Sequence, residues 1–486
     1  MLNKKYWLIF IAITVIAVFS RAAQVFNPYN YFFGPEQGIE YLVTKNIVVD
    51  HELVLTAHQG GFGSFSKGPG FNYLLTFPFV LTNGDPFGGR LMMFAISVLT
   101  VLTAFILTNR MFNPRTAMFI SFLLAVSPTL KDYAGAISPP FVIPLLTVFF
   151  IYFLYKSFQK KFKYIPLLTL TAGIMMHFEM AAAGILLALL ILTGLVSIIK
   201  KIIPYRYYLF AIVSFLITLF PLLIFDILNN FQNLRGIIEM FAAGAKNMSG
   251  GLFENIVNIV NNRFEVFSWS YISTFSPRLI IWIPSLVLIV FGILLMIKDE
   301  KIELNDKLFI SYLLFIPIFT FLSLVVYPGI IHQWWIMNLT VIYCFLFGLV
   351  LSYFWKNKFL RLLVILGVFI LYIAFINRTL FIYKTQFVYP PSAYIKEDQA
   401  IKYIFKNSKK RPFGIVILST RPQENYDYLI WWNGKKYGYQ PYRTPKKNYY
   451  AIIEPDLVCS KNKFPGTIIR SQKLSNDFII EERLVN

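Results

Sequence analysis

The chain has 486 residues, of which 57% are hydrophobic and 14% charged, and its net charge is +21. An average soluble domain is roughly 45–50% apolar and about 25% charged, so one soluble core is excluded and a polytopic membrane protein is expected. In such a protein excess Lys and Arg report topology and anionic headgroups, so membrane lipid is the expected partner and nucleic acid is not. Cys344 lies inside an apolar run and Cys459 far away near the C-terminus, and no metal-binding spacing is present. Neither a cofactor nor a metal is read from the sequence.

Lys4 and Lys5 precede an apolar run from Tyr6 to Ser20. Small residues at Ser20, Ala22 and Ala23 would suit a cleaved signal, but the spans that follow favour a retained first helix. Further spans are expected over 87–108, 116–130, 140–157, 164–178, 180–198, 207–226, 279–297, 308–327, 335–354 and 359–377. Each is near the ~20 residues that a bilayer requires. The 164–198 stretch is too long for one helix, and His177 and Glu179 at its middle predict a turn at the membrane surface.

Charge orients these spans. With a cytoplasmic N-terminus, the short inside loops hold Arg110 and Arg115, then Lys156 to Lys163, Lys200 to Arg206, Lys298 to Lys307, and Lys356 to Arg361. The short outside loops 131–139 and 327–334 hold Lys131 alone. That is the positive-inside pattern. The long loops 23–86 and 227–278 and the tail after 378 then lie outside.

The tail starts at Pro390-Pro391, a stiff exit. Residues 397–405 have helical apolar spacing, and Phe413–Leu418 reads as a buried strand. The expected fold class is an α-helical polytopic membrane protein of about 11 transmembrane helices with a small extracytoplasmic α/β C-terminal tail domain. The expected division is 1–378 and 379–486, in the inner or plasma membrane.

The first long loop is the polar island of the N-terminal half. Ile39, Leu42, Val43 and Ile47 alternate with Glu40, Thr44, Lys45 and Asn46, which predicts an amphipathic helix of about three turns starting near Glu36. Glu36 and Glu40, four apart, share a face. Glu36 is either a cap of that helix or a functional carboxylate. Lys67 sits in Ser-Lys-Gly-Pro-Gly, where a backbone without side chains allows close approach and the ammonium could meet a phosphate as a point charge. The bland alternative is a lysine reaching for headgroups.

Other candidates lie at span ends. His177 and Glu179 are two apart, which suits acceptor binding or hydrogen bonding better than a metal needing three or four ligands. Asp226 closes a span, and Lys246, Arg263 and Arg278 in the loop beyond it could grip a lipid phosphate. His332 stands beside Trp334 and Trp335, a pair most simply read as an interfacial aromatic belt.

These features occur in the order of a known family. Glu36-Gln37-Gly38-Ile39-Glu40 stands where many bacterial members have Asp-Gln-Gly-Arg-Asp, with both acids kept as Glu and the Arg replaced by Ile. Lys67-Gly68-Pro69 followed by Phe71-Asn72-Tyr73, the break at His177, Phe225-Asp226 and His332-Gln333-Trp334-Trp335 also match recurrent features. From residue 1 to about 450 the chain resembles the GT-C superfamily of integral-membrane glycosyltransferases. Within it, the resemblance is to the bacterial branch similar to the dolichyl-phosphate-mannose–protein mannosyltransferases and the aminoarabinose transferase.

The resemblance implies a GT-C-like fold and a polyprenyl-phosphate sugar donor. The sugar would pass, with inversion, to a lipid, glycan or protein acceptor on the extracytoplasmic face. It makes Glu36 the catalytic residue, as general base or acceptor-positioning group. Glu40, Lys67, His177, Glu179, Asp226 and His332 become substrate-binding candidates. Two other classes compete. A transporter predicts inverted repeats and mid-bilayer charges, and neither is found in the sequence. An O-antigen polymerase- or ligase-like enzyme would place its key basic residues in 227–278.

Overall fold

A computed structural model of the chain describes residues 4–27, 31–57, 65–246, 252–275, 279–327, 329–384, 393–419, 421–442, 448–455, 464–474 and 478–485. Pro390-Pro391, Cys459 and Arg278 lie outside the described residues.

The first half is helical. It comprises α1 (Lys4–Val25), α2 (Pro35–Val48), α3 (Gly70–Leu81), α4 (Pro86–Met111), α5 (Pro114–Val126), α6 (Pro128–Asp132), α7 (Ile143–Phe158), α8 (Ile165–Met176) and α9 (Met180–Ile199). Then come α10 (Tyr205–Leu228), α11 (Gln232–Lys246), α12 (Leu252–Phe275), α13 (Leu279–Lys298), α14 (Leu304–Val326), α15 (Met337–Phe354) and α16 (Lys358–Lys384). The starts are set locally. Asp85 accepts from the Phe87 N–H at 2.9 Å, and Asn113 from the Thr116 N–H at 3.0 Å, each before a proline at the first helical position. Proline there lacks a donor that the helix would leave unused anyway.

Each expected span meets a helix, and the chain is a multi-pass membrane protein. Among the described residues eight helices are long and apolar enough to cross a bilayer; α5 and α8, at 13 and 12 residues, fall short of that length. The expected count of eleven is therefore not reached by length and composition. The predicted span 116–130 breaks at Ser127-Pro128, where α5 gives way to α6. The turn predicted at His177–Glu179 is present between α8 and α9. Residues 227–278, read as a long loop, are largely helical in α11 and α12. Their charges lower the hydropathy without breaking the helical period.

α15 is the enclosed helix of the bundle, buried along almost its whole length. Its Ser352 hydroxyl lies 2.7 Å from that of Thr116 on α5, the kind of interhelical polar contact that helps membrane helices associate. Arg21 on α1 is fully buried. It donates to the carbonyls of Leu124 and Ala125 at 2.9 Å each and to Ser97 Oγ at 2.7 Å.

The C-terminal part comprises α17 (Tyr394–Asn407), β1 (Gly414–Leu418), α18 (Glu424–Tyr437), β2 (Asn448–Ile453), β3 (Thr467–Lys473) and β4 (Ile479–Leu484). The sheet order is β1-β2-β4-β3. β1 and β2 are parallel, joined across α18 with Gly414 opposite Tyr449, and the other pairs are antiparallel. The strand expected at 413–418 exists, but Ile415–Leu418 are half-buried because β1 is an edge strand.

This unit docks on the loop helices. α18 crosses α2 at Gly38, where an added Cβ would lie 2.3–2.5 Å from backbone atoms of Glu424 and Asn425. Tyr428 packs on Tyr41 with centroids 4.8 Å apart, and Trp431 stacks on Phe79. The Tyr394 N–H donates to the Tyr31 carbonyl at 2.9 Å.

Candidate functional site

The N-terminus of α2 opens onto a cavity of about 610 Å³. Its walls include Glu36 and Glu40 from α2, Lys67 from the turn before α3, Asp132 from α6, Trp334, and Glu424 from α18. The expected amphipathic helix is α2, and its four-residue spacing puts both glutamates on this cavity as read from the sequence. Glu36 is in the first turn and exposed. The Gln37 side chain closes the α2 start by accepting the Gly34 N–H at 3.0 Å. Glu36 is thus not needed for that cap.

Glu40 is more constrained. Asn72 donates to its Oε2 at 2.6 Å. Burial pushes the Glu40 carboxyl up to about 7, Lys67 and the Asn72 bond oppose that rise, and Glu36 adds to it by repulsion.

Lys67 is held by its neighbours. Its carbonyl accepts from the Ala57 N–H at 2.8 Å. Gly68 packs directly on the His177 imidazole, so that an added Cβ would lie 2.1 Å from Nδ1. The glycine is required there by close approach rather than by backbone angle. The Lys67 ammonium lies 3.8 Å from the buried Glu179 carboxylate. Burial raises the Glu179 pKa, and Lys67 pulls against it.

Four candidates do not line the cavity. His177 lies behind the Lys67 turn, its Nε2 2.7 Å from the Thr218 carbonyl, with burial lowering its pKa against that contact. Glu179 sits behind the lysine as its counter-ion. Asp226 accepts from the Asn233 N–H at 2.7 Å at the α10–α11 corner. His332 stacks on Trp334 with centroids 4.4 Å apart, so it braces a wall residue; burial lowers its pKa, and the charge of Glu36 opposes that fall. Trp335 is buried against Tyr327 rather than placed in an interfacial belt. Arg263 is buried too, donating to the Leu324, Tyr327 and Gly329 carbonyls. It fixes the segment leading to His332 and offers nothing to a phosphate.

Two wall acids escaped the sequence reading. Asp132 pairs with Arg378 of α16, and the buried Lys131 ammonium is 3.9 Å away. Burial pulls the Lys131 pKa down to about 8. An acid and a base side by side at a span's end was the available signal. Glu424 reaches the cavity from beyond 379 through the α2–α18 crossing, and no local pattern announces it.

Residues 66–225 match the family model described as dolichyl-phosphate-mannose-protein mannosyltransferase. No curated protein matches the chain in sequence. Among solved structures it is similar to ArnT from Cupriavidus metallidurans bound to undecaprenyl phosphate, at 12% identity and a TM-score of 0.63, covering 99% of this chain and 98% of that one. The apo state of ArnT from the same organism aligns at 12% identity and a TM-score of 0.61, covering 98% of each chain.

Proposed function

We propose that this chain, whose fold is that of the GT-C membrane glycosyltransferases, moves a sugar from a polyprenyl-phosphate donor to an acceptor, with inversion. The observation that carries the reading is one cavity lined by an exposed acid at a helix start and a lysine in a braced turn.

In this reaction the acceptor hydroxyl gives its proton to the Glu36 carboxylate as its oxygen attacks the anomeric carbon. The bond from that carbon to the phosphate oxygen breaks, and the lipid phosphate leaves with the electron pair. A phosphate leaves readily, so no second acid need protonate it. The Lys67 ammonium offsets the charge that develops on it. Glu40, Glu179, His177, Asp226 and His332 support these two groups, Glu40 from the wall and the others from behind it. Asp132, Trp334 and Glu424 are further contacts for sugar or acceptor.

We place the N-terminus in the cytoplasm, and the cavity and the C-terminal unit outside it. The transferase part is 1–378 and the outer part 379–486, with α16 running across that boundary to Lys384. The acceptor is a lipid, glycan or protein reached at that face. The burial of Arg263 in carbonyl contacts speaks against a polymerase-like site centred on 227–278.

The test uses the full-length protein in liposomes with undecaprenyl-phosphate-linked hexoses and pentoses, and an envelope extract as acceptor source. Acceptor-dependent release of undecaprenyl phosphate, with an inverted anomeric centre by NMR, is expected. Absence of release with every donor, or retention of configuration, would contradict the proposal.

A further inference from the structure

We infer that Asn233 is a positioning residue for Lys67, tying the phosphate-contact turn to the corner between α10 and α11. This rests on the reading of Lys67 as the donor-phosphate contact. It extends that site to a residue 167 positions from Ser66 in the chain.

The Ser66 N–H donates to Asn233 Oδ1 at 2.7 Å. Both residues are buried, so the bond is made away from water and leaving it unmade is costly. Asn233 is itself fixed, because its own N–H donates to Asp226 Oδ1 at 2.7 Å. The Phe231 N–H donates to the Asp226 carbonyl at 2.6 Å. Between these contacts Asn230 and Phe231 adopt φ of 53° and 59°. Left-handed backbone is uncommon outside glycine and unusual for a bulky side chain. It persists where the surroundings over-determine it, and Asp226 supplies that constraint twice. The corner therefore presents one amide oxygen, in fixed position, to the residue before Lys67.

The other holds on this turn come from elsewhere. Ala57 binds the Lys67 carbonyl, and His177 packs beneath Gly68 and Gly70. A lysine meets phosphate as a point charge on a flexible stem, so its backbone anchor decides where the ammonium can reach. Loss of the Asn233 oxygen frees the Ser66–Lys67 segment without removing any charge. Asp226 then acts through Asn233, which accounts for an acid at this span end that does not reach the cavity.

The experiment measures undecaprenyl phosphate affinity for the full-length protein in lipid nanodiscs. Four forms are compared: wild type, Asn233→Ala, Lys67→Ala and the double variant. Asn233→Ala weakens binding by about 3- to 10-fold, the size expected for one net hydrogen bond. In the Lys67→Ala background it adds nothing, because its effect passes through that lysine. Asn233→Asp, which keeps an accepting oxygen, recovers part of the loss. Should Asn233→Ala not fold, judged by thermal unfolding in the same nanodiscs, the near-isosteric Asn233→Leu carries the same expectation. Wild-type affinity in a folded Asn233 variant, or an equal fold-loss with and without Lys67, would overturn the inference. Wild-type affinity in Lys67→Ala would instead overturn the phosphate role of Lys67 itself.

Discussion

Lys67 sits between carboxylates, and one of them changes its charge near neutral pH. Glu179 is 3.8 Å away, and Glu40 interacts with it from the cavity wall. The Glu40 carboxyl is raised by burial from its ordinary 4.5 to about 7, so it gains negative charge as pH rises through that value. In the proposed reaction, ionised Glu40 offsets the ammonium and so weakens the hold proposed for Lys67 on an anionic donor. Glu40→Gln should therefore bind undecaprenyl phosphate more tightly than wild type above about pH 7 and nearly equally below it. The Gln-to-wild-type affinity ratio, measured at each pH, cancels the titration of the phosphate itself; a ratio that does not change would contradict this role. The sign for stability agrees. A carboxyl raised in the fold favours folding while protonated, and that contribution is lost as pH climbs through the folded value. Glu36, Glu40 and Lys67 were legible in the sequence because each stands in a short motif within the polar stretch that follows the first span. Asp132 and Glu424 were not, because their place on the wall is made by the packing of helices far apart in sequence.

The crossing of α2 and α18 fixes the distance between the two parts of the chain. Gly38 allows it, since a Cβ there would meet backbone rather than a movable side chain. Gly38→Ala should destabilise the protein by about 1–3 kcal/mol, as overpacking does, and lower the thermal unfolding midpoint. Gly184→Ala is the control, because its Cβ would meet nothing within 4 Å. Equal midpoints for the two variants would contradict a tight α2–α18 seam. Helical period and turn chemistry made α2, α17 and β1 readable in advance. The helices inside 227–278 were not, since α12 is charged and only moderately apolar yet lies against the bundle. Low hydropathy there reads as loop, whereas the residues form the helices α11 and α12.

At the scale of the molecule, hydropathy finds the helices and cannot rank them. α15 is enclosed by protein, while α10 and α16 present apolar side chains on most of their surface, yet all three are long and apolar enough to cross a bilayer. Lipid and protein interior are equally apolar surroundings, so composition cannot tell the two situations apart. Charge is more informative about orientation. An alkaline phosphatase fused after residue 486 should be active, because the C-terminal unit is proposed to lie outside; a silent fusion beside active cytoplasmic-type reporters would reverse the topology. The proposed reaction at the cavity turns on Glu36, and Glu36→Gln is its sharpest test. In full-length protein reconstituted with an undecaprenyl-phosphate sugar and its acceptor, the variant should bind undecaprenyl phosphate as wild type does. Its transfer rate should fall by about a hundred-fold or more, the scale of a lost general base. A Glu36→Gln protein that is properly inserted and transfers sugar at the wild-type rate would contradict the account.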